Sequence, residues 1–201
     1  MKKTTLLLST AILAIALAFS CGKSENSDNK APNGEKNSAS VCPEVSTVSV
    51  QSTNGGYPKE PIDWSSVKSS AAEWSFAGLG GDSKALTVYL SNYTFTPEQL
   101  LSYNSLDLQP GQGILILYFT NGQKDAAKGQ YLISPKFDNP MRISAGIYVQ
   151  GKVKVQFDDY KTEGSAEITE LTTGKLCGKF SLKDPWSNIS GSFTAPVAKS
   201  L

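Results

Sequence analysis

Between residues 72 and 197 the chain repeats one pattern: short runs of alternating apolar and polar side chains, separated by turn residues. Side chains along a strand point to opposite faces in turn, so each run encodes a half-buried strand rather than a helix. In "KALTVYLSN", Leu86, Val88 and Leu90 share one face and Tyr89 takes the other. "AEWSFAG" sets Trp74 and Phe76 together, and the size of their rings assigns that face to the core. "MRISAGIYVQ" aligns Ile143, Ala145, Ile147 and Val149, "KVKVQF" aligns Val153, Val155 and Phe157, and "ISGSFTAPV" aligns Ile189, Phe193, Ala195 and Val197. "GILILYF" is apolar on both faces, which predicts a central strand covered twice. Gly80-Gly81-Asp82, Asn121-Gly122, Thr173-Gly174 and Lys183-Asp184-Pro185 mark the turns.

One departure from strand patterning stands out. In "TFTPEQLLSYN", Thr96 caps, Pro97 suits the first helical position and Gln99 completes a capping box, which predicts one short helix near 97–104. The rest is all-β. About eight to ten short strands at this spacing predict an antiparallel β-sandwich, with a closed or partly open antiparallel β-barrel as the alternative. Residues 42–201 suffice for one core and not comfortably for two, so they form a single β-rich domain.

The first 41 residues are of a different kind. Lys2 and Lys3 precede an apolar run from Thr4 to Ser20, the pattern of a secretory signal peptide. The run is a little short for an uncleaved span and is not followed by a basic cluster. "LAFSC" resembles the lipobox of bacterial lipoproteins, with Ser20 and Cys21 in place, Leu17 one position early and Phe19 bulkier than usual. The resemblance implies cleavage after Ser20, diacylglycerol on the Cys21 thiol and an acyl chain such as palmitate on the new amine. Several chains hold a protein at a membrane where one does so only marginally. Gly22, not Asp, follows Cys21, which under the enterobacterial sorting rule directs such a protein to the outer membrane. The domain plan is thus a signal peptide at 1–20, a lipidated cysteine and tether at 21–41, and the β domain at 42–201. "GKSENSDNKAPNGEKNSASV" is too polar to offset its ordering entropy and reads as a disordered tether of roughly 25 Å reach.

With Cys21 acylated, Cys42 and Cys177 remain, and one intramolecular pairing is open to them in an oxidising compartment. Two free buried thiols are the alternative. In "KLCGKFSL", Leu176, Phe180 and Leu182 share the inner face, whereas Cys177 lies with Lys175, Lys179 and Ser181 on the outer one. A disulfide there staples the start of the domain onto an outward face.

The C-terminal half carries "GQYLISP", "EGSAEITELTTGKLCGKFSL" and "ISGSFTAPV". These segments resemble a recurrent pattern of uncharacterised exported bacterial lipoproteins: a Gly-x-Tyr strand, a Gly-x-x-x-Ile-Thr hairpin and a closing Gly-x-Phe-x-Ala-Pro strand. With "ALTVYLSN" upstream the resemblance covers residues 72–197. It implies a β fold and surface tethering and brings no catalytic residues.

Composition narrows the function further. The chain has no histidine, which removes Ser-His-Asp and Cys-His nucleophilic machinery and histidine-ligated metal sites. Without residues 1–20, 17 basic side chains face 18 acidic ones, a balance unsuited to nucleic acid. Gly78-Leu79-Gly80-Gly81 lacks the Lys-Ser/Thr of a phosphate loop. Asp158 and Asp159 are adjacent and so point apart on a strand, and with Glu163 they form neither a glycosidase pair nor an EF-hand. No catalytic residue, metal ligand or cofactor is assigned. Trp64 in "EPIDWSS" and Trp186 in "KDPWSN" are the candidate binding-surface residues, since exposed tryptophans serve protein and glycan recognition. The reading is a membrane-anchored lipoprotein of the cell envelope whose β domain binds a protein, small molecule or glycan without catalysis. A lipocalin-like carrier is the alternative, and an acid-based hydrolase is the weakest.

Overall fold

The structure is a computed structural model, and it describes residues 42–52, 62–77, 82–95, 99, 108–133, 139–149, 152–157 and 161–198. Cys21, the tether, Asp158, Asp159 and the glycine-rich turn at 78–81 lie outside those residues. So does nearly all of the helix expected near 97–104; Gln99, its one described residue, is helical. Residues Ala39–Leu201 form one compact unit. No helix among the described residues is long and apolar enough to cross a membrane.

Among the described residues, ten strands form a single sheet. They are β1 (Thr47–Ser52), β2 (Lys68–Ala77), β3 (Asp82–Ser91), β4 (Ile114–Asn121), β5 (Gly129–Leu132), β6 (Met141–Val149), β7 (Lys152–Phe157), β8 (Glu163–Thr172), β9 (Lys175–Lys183) and β10 (Ser187–Ala198). The order β10-β2-β3-β4-β6-β5-β8-β9 returns to β10 through a β9–β10 pairing, so eight strands close a barrel. Strand β1 adds to β10, and β7 adds to β6. The expected all-β class holds, but the sandwich does not: the barrel named as the alternative is the architecture. Alternation demands only that one face be buried, which a sandwich and a barrel satisfy equally. Closure is decided by β10, which no local pattern reveals.

Strand β10 runs twelve residues and has two successive neighbours along one edge. Antiparallel β1 covers Ser187 to Ser192, and parallel β2 takes Val197 and Ala198. Thr194 falls in the gap between them. Its backbone N–H donates to Ser46 Oγ at 3.0 Å, and its carbonyl accepts from Ser46 Oγ at 3.2 Å and Ser69 Oγ at 2.6 Å. Two serine hydroxyls therefore replace the missing ladder bonds at the seam, where unpaired buried backbone groups would be costly. Across the same seam Cys42 and Cys177 form a disulfide, joining residues 135 apart in sequence. Cys177 stands opposite Thr194 in the β9–β10 register, on the outward face as its neighbours require. It is nonetheless fully buried, because the start of the domain covers it.

Buried apolar side chains from opposite walls meet in the interior. Leu86, Val88 and Leu90 from β3 meet Leu115, Leu117 and Phe119 from β4, and Ile143, Ala145 and Ile147 from β6. Phe119 packs edge-on against Tyr131 at 5.0 Å between ring centroids and tilts against Phe193 at 6.0 Å. The Tyr131 hydroxyl donates to the Ala127 carbonyl at 2.7 Å and accepts the Ala127 N–H at 2.8 Å, so this buried polar group is satisfied twice. Two glycines make room for rings across the β9–β10 ladder. A Cβ on Gly178 would sit 2.5 Å from Phe193 Cζ, and one on Gly191 would sit 2.8 Å from Phe180 Cζ. Each glycine is the register partner of the ring that covers it. A bulge between Ile168 and Glu170 turns Leu171 in and Glu170 out. Strand β9 shows the resulting alternation, with Lys175, Lys179, Ser181 and Lys183 exposed around a buried set. An apolar interior with charged outward positions is the inverse of a transmembrane barrel.

Candidate functional site

The wall formed by β2, β3, β4 and β6 differs from the rest, because its outer face is apolar as well. Ile114 and Ile116 on β4 point away from the barrel interior yet are buried, as "GILILYF" predicts. A second, smaller core covers them, made of Tyr89, Leu108, Ile114 and Ile116 with Ala72, Tyr93, Phe95 and Tyr148 against it. The β3–β4 connection supplies part of this cover. Phe95 packs against Tyr89 at 6.5 Å and against Tyr93 at 6.2 Å. Asn92 pinches the connection at its base, accepting the Gly113 N–H at 2.9 Å and donating to the Gly111 carbonyl at 2.8 Å. Burial raises the Tyr93 phenol pKa above its ordinary value.

The cover leaves a groove of about 490 Å³ open along this wall. Trp74, Tyr89, Tyr118 and Tyr148 give it four aromatic rings, and Thr87, Ser144 and Gln156 give it hydroxyl and amide groups. Gly146 also lines it. The sheet register arranges these groups in rows. Thr87 stands beside Tyr118, which stands beside Ser144; one step on, Tyr89, Ile116, Gly146 and Gln156 follow across four strands. From Trp74, opposite Ala85, to Tyr148, the register advances by three same-face steps, roughly 20 Å at the usual strand rise. None of the described residues lining the groove is a carboxylate, lysine or arginine. Volume, rings and a few polar groups are what ligand sites share.

Trp74 corrects the expectation from alternation. It belongs to the outer face, because its partner Ala85 alternates with the inward Leu86. The inward face of β2 carries Ser69, Ala71 and Glu73 instead, and Glu73 pairs with Lys84 at 3.3 Å. The Trp74 indole N–H is shut off from solvent and has no hydrogen-bond partner. An unsatisfied buried donor costs about 1–3 kcal/mol and calls for an explanation.

The two tryptophans singled out in the sequence lie apart from this groove's lining. Trp64 is partly buried against the barrel core. Trp186 is 53% exposed on the β9–β10 turn. Asp184 Oδ1 fixes that turn by accepting the Trp186 N–H at 2.8 Å and the Ser187 N–H at 2.5 Å, and Lys161 Nζ sits 5.9 Å from the Trp186 ring. Glu163 is exposed at the start of β8. The groove residues were legible only as strand positions; the one signal for them was the second apolar face of "GILILYF".

One cluster of potential metal ligands appears among the described residues. Donor atoms of Cys42, Glu170 and Cys177 lie within 4.8 Å of one another. The two sulfurs are bonded to each other, so neither is a thiolate able to bind a cation. Glu170 Oε2 lies 3.1 Å from Cys42 Sγ, a contact and not a hydrogen bond, since a disulfide sulfur carries no proton. No protein-family model matches this chain, and neither a curated protein nor a solved structure matches it.

Proposed function

We propose that this chain is a lipid-anchored, non-catalytic binding module of the bacterial cell envelope, held at the outer membrane through Cys21, and that it binds its ligand in the groove on the outer wall of the barrel. It stands with the exported lipoproteins that its lipobox and its C-terminal strands resemble. The observation that carries the reading is the groove between Trp74 and Tyr148. Four rings line a wall of a closed barrel whose interior is already occupied by its own side chains. That packing favours a ligand outside the barrel over a lipocalin-like one within it. The disulfide fits export, because such bonds persist in oxidising compartments. Trp186 and Trp64 belong to the other end of the proposal: a protein partner of the module would meet the exposed Trp186 first.

The test has two arms. The chain from its native membrane gains the mass of three acyl chains on a protein starting at Cys21, and Cys21→Ala turns soluble; an unmodified, soluble chain contradicts the anchor. Thermal-shift measurements with neutral saccharides, acidic saccharides, fatty acids and aromatic acids give a rise in Tm for one of these classes, lost in Tyr118→Ala. No rise with any class contradicts the groove.

A further inference from the structure

The chemistry of the groove selects among ligands, an argument that rests on the binding reading above. None of its described lining residues carries a formal charge, so among them an anionic or cationic ligand would find no counter-charge to offset its lost hydration. A peptide strand would need an open sheet edge. Here β4 is paired with β6 along its length and with β3 from Ile114 to Phe119, so the middle of this wall offers no ladder to extend. A lipid tail would need an enclosed apolar slot, whereas the central ring of this groove, Tyr118, has a hydroxyl group on each neighbouring strand. Tyr118 is flanked by Thr87 and Ser144, and Gln156 closes the row of Tyr89.

We propose that the groove binds a neutral oligosaccharide, with sugar rings laid on Trp74, Tyr118 and Tyr148. A pyranose has an apolar C–H face and a rim of hydroxyls. It therefore matches a surface in which the Tyr118 ring sits between the hydroxyl groups of Thr87 and Ser144 at strand spacing, with further rings at either end. A groove of roughly 20 Å holds several sugar units, which selects a chain over a monosaccharide. Trp74 adds an independent observation at one end. Its buried indole N–H lacks a partner, and a small turn of the ring on binding would hand that donor to a sugar oxygen.

Affinity electrophoresis in native gels tests this with stated probes: dextran, glycogen, laminarin, galactomannan and xyloglucan as neutral polymers, and polygalacturonate as the charged control. At least one neutral polymer retards the wild-type chain and polygalacturonate does not. Trp74→Ala and Tyr118→Ala weaken that retardation at least tenfold, and Trp186→Ala leaves it unchanged. Ser144→Arg fills the groove without shortening any wall, and it abolishes retardation even if Trp74→Ala fails to fold. Retardation that survives both Tyr118→Ala and Ser144→Arg overturns the proposal, as does the absence of retardation by every neutral polymer. If a fatty acid or an aromatic acid instead raises Tm in a Tyr118-dependent way, the sugar class falls and the binding groove stands. If no ligand class acts through Tyr118, both fall.

Discussion

The β8–β9–β10 wall and the β2–β3–β4–β6 wall close the same barrel, but they treat their outer faces differently. On β9 the buried residues alternate with lysines, and the outer face is left to water. On β4 the first four residues are all buried, inward and outward alike. The first wall solves only the packing problem of the interior. The second carries an apolar surplus that the interior does not require. Part of that surplus is covered by Tyr93, Phe95 and Leu108, and the uncovered remainder is the groove. Apolar surface that the described residues leave uncovered is where the proposed ligand would sit.

The contrast can be broken at several points, beginning with the largest effect. Phe119 touches both Tyr131 and Phe193 inside the barrel. Phe119→Ala should cost about 3–5 kcal/mol in urea unfolding; a cost below about 1 kcal/mol would mean that the interior is not the single core described. Next is the staple on the plain wall. Cys177→Ser removes the link closing the seam across 135 residues, at a cost of about 2–5 kcal/mol. A Tm unchanged in this variant would show that Ser46 and Ser69 hold the seam unaided. Gly191→Ala forces Phe180 away and meets the Thr47 carbonyl, an overpacking worth about 1–3 kcal/mol. It should also loosen β1, read as faster amide exchange at Val48 and Val50.

A smaller effect depends on pH. Burial raises the Tyr131 phenol pKa above 10.0, partly offset by the Ala127 bond. The folded state thus favours the protonated phenol. Its contribution is complete below about pH 10 and is lost as pH rises through the raised value. Tyr131→Phe should cost about 1–3 kcal/mol at neutral pH, because Ala127 loses its partners. The variant should also flatten the alkaline fall in stability; an unchanged alkaline limb would remove Tyr131 from that account.

Much of the interior was legible in the sequence because period two names both faces of a strand. Leu86, Val88 and Leu90 follow that rule, as do Leu176, Phe180 and Leu182. The rule does not say which face points inward. At β2 the larger side chain, Trp74, points out, and the choice is made by the long-range pairing of Ala71 with Val88. The disulfide was legible from cysteine count and compartment. The burial of Cys177 was not, since it depends on a segment 135 residues away. Closure belongs to the same class of information: it rests on β10 exchanging β1 for β2 around Thr194, a contact between the ends of the domain. The groove was the least legible feature because its residues come from five strands and share no motif.

The central claim is that the groove around Tyr118, beside the smaller core on the outer face of the second wall, serves a ligand and does not support the fold. Tyr118 and Phe119 are chain neighbours on β4 that face opposite ways, so comparing their alanine variants by equilibrium unfolding tests it most directly. The account predicts a cost of about 1 kcal/mol or less for Tyr118→Ala against about 3–5 kcal/mol for Phe119→Ala. Equal costs would make the outer face part of the fold's own support and contradict the groove as a binding site.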